Sequence, residues 1–140
     1  MIEIRNATQE DLDLVRQDSI DITAKNYPVL NLNGWARTVL IDGQIIGVGG
    51  CIVFWKGVGE AWFCLSKKAL DHKIATFRCI KKIIEQAFSE LKLKRMQVTE
   101  RADFSQTIKM AESLGFKREG LMKSYLPDGG DSYLYALIRK

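Results

Sequence analysis

The side chains of this chain that could do metal, redox or nucleophilic chemistry are few, and their spacing excludes more than it invites. Cys51, Cys64 and Cys79 lie inside apolar runs and no two have C-x-x-C spacing. They read as buried reduced thiols rather than a redox pair or a disulfide framework. His72 is the single histidine, so the chain offers no zinc set and no metal site is expected. Basic residues gather at Lys67, Lys68, Lys73, Arg78, Lys81, Lys82, Lys92, Lys94 and Arg95. With a net charge of +4 and a pI near 9.0, they give a mild positive field suited to a phosphorylated cofactor or an acidic partner. Neither a glycine-aromatic-basic RNA-binding pattern nor a helix-turn-helix accompanies them, so sequence-specific nucleic-acid binding is not expected.

These residues need a scaffold, and 140 residues suffice for one domain spanning 1–140. A chain of that length buries roughly two thirds of its unfolded surface without disulfide or metal staples. Hydrophobic residues make up 46% and charged residues 27%, proportions that argue against disorder. No run of 18 apolar residues occurs, and the opening Met1-Ile2-Glu3-Ile4-Arg5 has no signal-peptide core. A soluble, cytoplasmic protein with no membrane partner is the expectation.

The periodicities then lay out the elements. Ile2, Glu3, Ile4 and Arg5 alternate as in a half-buried strand. Thr8 and Asp11 mark a helix start, with Leu12, Val15, Ile20 and Ile22 as its apolar face. Pro28 and its Asn and Gly neighbours make 26–34 a loop. Strands follow over Trp35–Ile41 and Gln44–Trp55, joined at Asp42-Gly43, a two-residue hairpin pair that tolerates positive φ. Gly47, Gly49 and Gly50 imply a bulge or a close approach within the second strand. A turn at 56–59 leads to a strand over 60–66, whose near-continuous apolar run suits burial on both faces. A 3.6-residue period then predicts a helix over 71–91, with Ile74, Phe77, Ile80, Ile84, Phe88 and Leu91 inward and a Lys81–Glu85 pair outward. A strand over 95–100 precedes a helix that Asp103 and Gln106 would cap as a box; Ile108, Ala111 and Leu114 line it and Gly115 ends it. Strands over 116–120 and 132–139 close the chain around a turn at 127–130. The strand-helix-strand crossover in the middle predicts a parallel pair.

This order, with Asp42-Gly43-Gln44-Ile45-Ile46-Gly47 at the hairpin and Ser113-Leu114-Gly115-Phe116 at the late helix end, resembles the GNAT superfamily of acyl-CoA-dependent N-acyltransferases. The resemblance runs the length of the chain. It implies an α+β fold of three layers, α/β/α: a mixed, mostly antiparallel seven-stranded sheet with helices on both faces and a parallel central strand pair. The stretch from Tyr125 through Pro127-Asp128-Gly129-Gly130-Asp131 to Tyr133 is similar to small GNAT-like proteins encoded by bacteriophages.

The resemblance also implies a site. Acetyl-CoA, the acyl donor, would pair its pantetheine arm with the central strand at Phe63, Cys64 and Leu65, whose N–H groups at Phe63 and Leu65 would polarise the thioester. Its pyrophosphate would meet the start of the long helix at His72, Lys73, Ile74 and Ala75, although the family's glycines and leading basic residue are absent there and Asp71 stands in the way. Glu60, four residues before Cys64, occupies the place of a general base. The family's thiolate-protonating tyrosine falls at Ala111 and its asparagine at Phe104, so Tyr125 or water would return that proton. The function implied is transfer of an acetyl group to a primary amine of a small molecule or protein. The competing implication is a GNAT-shaped binding or assembly protein without catalysis, pairing with a second copy or a phage particle and residing in the host cytoplasm or virion.

Overall fold

The computed structural model describes residues 1–21 and 34–139. Ile22 and the loop expected at 26–33 fall outside them. Seven strands form one sheet among the described residues: β1 (Ile2–Asn6), β2 (Trp35–Ile41), β3 (Gln44–Trp55), β4 (Val58–Leu65), β5 (Arg95–Arg101), β6 (Lys117–Met122) and β7 (Ser132–Ile138). Their order is β1-β2-β3-β4-β5-β7-β6, antiparallel throughout except for the parallel β4–β5 pair. Helices α1 (Gln9–Gln17), α2 (Lys73–Glu90) and α3 (Ser105–Ser113) complete the α+β mixture.

Residue alternation along β4 divides the core. Cys64 and Trp62 meet Leu12 and Val15 of α1 on one face. Ala61, Phe63 and Leu65 point to the other, where α2 supplies Cys79, Ile80, Ile83, Ile84, Ala87 and Phe88 and α3 supplies Ala111. Met96 and Val98 of β5 and Tyr135 of β7 join this second face. Helices thus cover both faces. The β3 glycines make room for the β4 side chains paired with them: a Cβ on Gly49 would lie 2.5 Å from the Phe63 ring, and one on Gly50 2.5 Å from the Trp62 ring. A bulge also falls where β2 crosses β3, between Val39 and Leu40. The three cysteines are buried and free.

Four details differ from the sequence reading. Helix α2 begins at Lys73 after a 3₁₀ turn (Lys67–Asp71), and its inward stripe is rotated, so Ile74 is 72% exposed. Glu85 takes its hydrogen bonds from Arg139, beyond β7, while the Lys81 charge acts on it as well, so the expected pair is part of a three-residue cluster. Phe104 occupies the cap position of α3 with no side-chain cap bond, because Asp103 is held by Arg101. Phe63, Trp62 and Leu65 are only half-buried, because the strand beside β4 turns away from it.

The first helix is anchored by one carboxylate. Thr8 and Asp11 form a complete capping box. Asp11, 4% exposed, also takes a bidentate pair from Arg5 at 2.7 and 3.0 Å and the Thr38 hydroxyl at 2.8 Å. Burial alone would raise this carboxyl, but the bonds from Arg5, Thr38 and Thr8 outweigh it and hold it at about 2. Being depressed in the folded state, it stabilises the fold above the ordinary aspartate range, and that contribution disappears as pH falls toward 2. Between pH 5 and pH 2 the wild type should lose about 2 kcal/mol more stability than Asp11→Asn. Urea unfolding at both pH values measures the difference; parallel losses in the two proteins would remove Asp11 as the source.

Candidate active site

The sheet is incomplete between its two central strands. β4 pairs with β3 from Val58 to Leu65, but with β5 only through Val58↔Arg95, Gly59↔Met96 and Glu60↔Gln97. β5 pairs with β7 along its whole length, and its last four residues, Val98 to Arg101, pair with β7 alone, so a gap opens toward the C-terminal ends of β4 and β5. Ser66 N–H donates across to Ile46 at 2.8 Å on the β3 side. Alternation of the antiparallel ladder then turns Cys64 toward β3, and turns Phe63 and Leu65 into the gap. The Leu65 carbonyl is taken by Ile20 N–H at 2.9 Å, and Asp18 accepts from Lys67 N–H and the Ser66 hydroxyl, so the 18–20 segment closes the far end of β4. The backbone of Phe63 and the Leu65 N–H thus point into the gap, beyond the last β4–β5 register pair. Such groups favour an extended guest that supplies donors and acceptors of its own.

Chain direction brings helix starts to the same opening. α2 begins just past the end of β4, and α3 just past the end of β5. His72 is the cap residue of α2 but makes no side-chain cap bond, and no acidic residue occupies the first turn. The N–H groups of the first turn are therefore free of side-chain acceptors. Lys73 stands where the helix dipole disfavours a cation unless an anion joins it. Leu70 to Ala75 line a shallow, open depression of about 360 Å³. His72, Lys73, Ile74 and Ala75 thus lie together, with exposed Ile74 offering apolar surface beside the charge. Asp71 lies in the same lining and opposes an anion there.

Glu60 sits at the apex of the gap. Its Oε1 accepts from Gln97 Nε2 at 3.0 Å. Gln97 Oε1 accepts from Arg95 at 3.3 Å, and Arg95 grips both oxygens of Glu119 on β6. Because Arg95 can only donate, the Gln97 amide must present its NH₂ to Glu60. The second Glu60 oxygen has no partner among the described residues. Tyr125 is not brought near it. It lies 51% exposed in the β6–β7 loop, which springs from Ser132, opposite Arg101 and four register positions beyond Gln97. Arg101 pairs with both Asp103 and Asp128 and so fixes that loop against the start of α3. Cys64 also departs from the expected set, since its backbone serves β3 and its thiol is buried beside Ser19. Burial pushes the thiols of Cys51, Cys64 and Cys79 up, that of Cys51 to about 11, so none offers a thiolate nucleophile at neutral pH.

One residue was missed. Glu100 follows Met96 and Val98 on the inward face of β5, beyond the last β4 pairing. Desolvation pushes its carboxyl up to about 7, while the nearby Thr107 hydroxyl of α3, which donates to the Phe104 carbonyl at 3.1 Å, pulls the other way. The available signal was an acid at the third position of an otherwise apolar alternation.

No family model matches the chain, and no curated protein matches it significantly. Solved structures do match in shape. A GNAT-family acetyltransferase from Bacillus anthracis superposes with a TM-score of 0.76 at 20% identity, over 98% of this chain and 94% of that one. A ribosomal-protein-alanine N-acetyltransferase from Brucella melitensis gives 0.76 at 17%, over 97% and 99%. An F149G mutant of the spermidine N-acetyltransferase SpeG from Vibrio cholerae gives 0.78 at 12%, over 98% and 93%. At these identities the likeness is one of fold: this chain has the architecture of GNAT acetyltransferases from end to end.

Proposed function

We propose that this protein is an N-acetyltransferase that takes the acetyl group of acetyl-CoA and places it on a primary amine. The observation that carries the reading is the unfinished β4 edge at Phe63 and Leu65, opening beside the uncapped start of α2. An acyl-pantetheine arm is an extended chain of amides able to pair with such an edge. Its phosphates suit helix N–H groups next to Lys73. Acetyl-CoA supplies an activated acyl carbon, and the chain's own groups align, polarise and move protons. The Phe63 and Leu65 N–H groups, two residues apart along the strand, divide the work: one faces the thioester oxygen and the other pairs with the pantetheine arm. Glu60, held by Gln97 at the apex, takes the proton of the attacking amine through its free oxygen. With the cysteines neutral, the amine attacks directly, and holding both reactants in one cleft provides most of the advantage.

The acceptor is a primary amine of a small molecule or a protein. Residues 27–33, which lie outside the described residues, and the turn from Gly120 to Asp131 are the expected contributors to its choice. The departures at Asp71 and Ala111 support a second reading, a GNAT-shaped binding or assembly module without turnover, of the kind a phage particle could employ. Calorimetry with acetyl-CoA separates the two, since only the enzyme reading requires binding.

Charge at the α2 start gives a directional test. Asp71→Gly should tighten acetyl-CoA binding several-fold by removing a like charge from the phosphates, and Lys73→Glu should weaken it by tenfold or so, about 1.4 kcal/mol. Affinities indifferent to both changes would place the phosphates elsewhere. For catalysis, Glu60→Gln should lower kcat by roughly 10² to 10⁴ with acetyl-CoA affinity kept. Tyr125→Phe, in an exposed loop, should cost less. Full turnover by Glu60→Gln in steady-state assays with a primary amine would remove Glu60 from the mechanism.

A further inference from the structure

We infer that the basic outer face of α2 is the docking surface for a small acidic carrier protein, which brings the acyl donor as a thioester on its own 4′-phosphopantetheine arm. The inference rests on the acetyltransferase reading and names a partner for its donor side. Between residues 67 and 84 the chain carries six cations, Lys67, Lys68, Lys73, Arg78, Lys81 and Lys82, against one acid, Asp71. All six are exposed, and none is in an ion pair among the described residues. The next acid along α2, Glu85, is held by Arg139. Helical spacing sets Ile74, Arg78, Lys81 and Lys82 on one stripe of α2, opposite the buried Thr76, Ile80, Ile83 and Ala87. Ile74 is 72% exposed and Leu70 46%, so apolar side chains stand among the charges. An interface needs such an apolar anchor inside a charged rim.

Position selects the partner. The stripe starts at Lys73, beside the mouth of the β4–β5 gap, and reaches Lys82 about 14 Å along the helix at 1.5 Å per residue. A protein seated there arrives on the donor's side and stands over the opening through which an arm enters. The α2 start also favours one phosphate over two. It has no glycine to let the backbone close around a pyrophosphate, and Asp71 lines it. Lys73 and the first-turn N–H groups suffice for the single phosphodiester that joins a pantetheine arm to a carrier's serine. What free coenzyme A gains from its second phosphate and nucleotide, a carrier gains from acidic side chains against Arg78, Lys81 and Lys82. A nucleic acid would meet the same cations but has no thioester to place in the gap.

The carrier leaves the chemistry of transfer unchanged. The amine lone pair forms the C–N bond to the acyl carbon, and the C–S bond breaks with its pair going to sulfur. The amine's proton passes to Glu60, water takes it from there, and water returns one to the sulfur. The products are the N-acetylated amine and the carrier's free thiol.

The test measures dissociation constants by calorimetry for acetyl-CoA, an acetylated acyl carrier protein and the same carrier without its arm. It compares wild type with Arg78→Glu/Lys82→Glu and with Lys56→Glu/Lys94→Glu, which changes net charge equally at the opposite end of β4. Wild type should bind the acetylated carrier about tenfold or more tighter than acetyl-CoA at low salt, and the armless carrier measurably. Carrier affinity should fall roughly tenfold between about 20 and 200 mM salt. The α2 variant should bind both carrier forms about tenfold or more weaker while keeping acetyl-CoA affinity within about twofold. The control variant should bind all three as wild type does. A carrier that binds no better than acetyl-CoA, or an equal loss of both donors in the α2 variant, would overturn the docking surface and leave the acetyltransferase reading standing. Tighter binding of a duplex oligonucleotide than of the carrier, lost in the α2 variant, would also overturn it. Failure of wild type to bind either donor would overturn the acetyltransferase reading, and this inference with it.

Discussion

The parallel ladder between β4 and β5 stops after three residue pairs, and the candidate site depends on that stop. A complete ladder would satisfy every backbone group of both strands and leave a closed sheet with no room for a guest. The separation has identifiable causes. β4 is committed to β3, whose glycines admit the Trp62 and Phe63 rings, and its end is held by Asp18 and Ile20. β5 is committed to β7 through Ser132. Each strand follows the neighbour with which it shares the longer pairing, and the sheet divides between them.

The crossover that makes β4 and β5 parallel also gathers the chemistry. Because α2 runs back beneath the sheet, its positive end lies at the mouth of the gap, and α3 starts at the same mouth after β5. The β6–β7 loop joins them there because Arg101 ties Asp128 to the start of α3. Charged groups needed at the opening are thus delivered by connectivity. Strand alternation sends Glu60 to one face and Glu100 to the other.

Much of this architecture was legible because its signals are local. Asp42-Gly43 adopts positive φ at both positions, as the hairpin pair requires. Leu114-Gly115-Phe116 ends α3 with Gly115 at φ 97 and Phe116 N–H returning to Ala111. Thr8 and Asp11 cap α1 as read. The failures concern relations between distant segments. Asp103 has the chemistry of a cap residue, but Arg101 competes for its carboxylate. The period of α2 was recognised, yet which side of it faces inward depends on the two core clusters it must cover at once. The length of the β4–β5 ladder is decided by β3, β7 and the 18–20 segment, so no window of sequence contains it. Glu100 escaped notice for a related reason: an acid at a strand end looks like a surface residue until α3 is folded over it.

The gap between β4 and β5 is a part of the sheet whose hydrogen bonds the protein does not make for itself. A guest that makes them does what a missing strand would do, so binding there is also the last step of folding. The central seam of the occupied protein would open less often than that of the free protein, and the guest's concentration would set how often. Heat resistance would then report substrate supply, with the protein sturdiest when it has work to do.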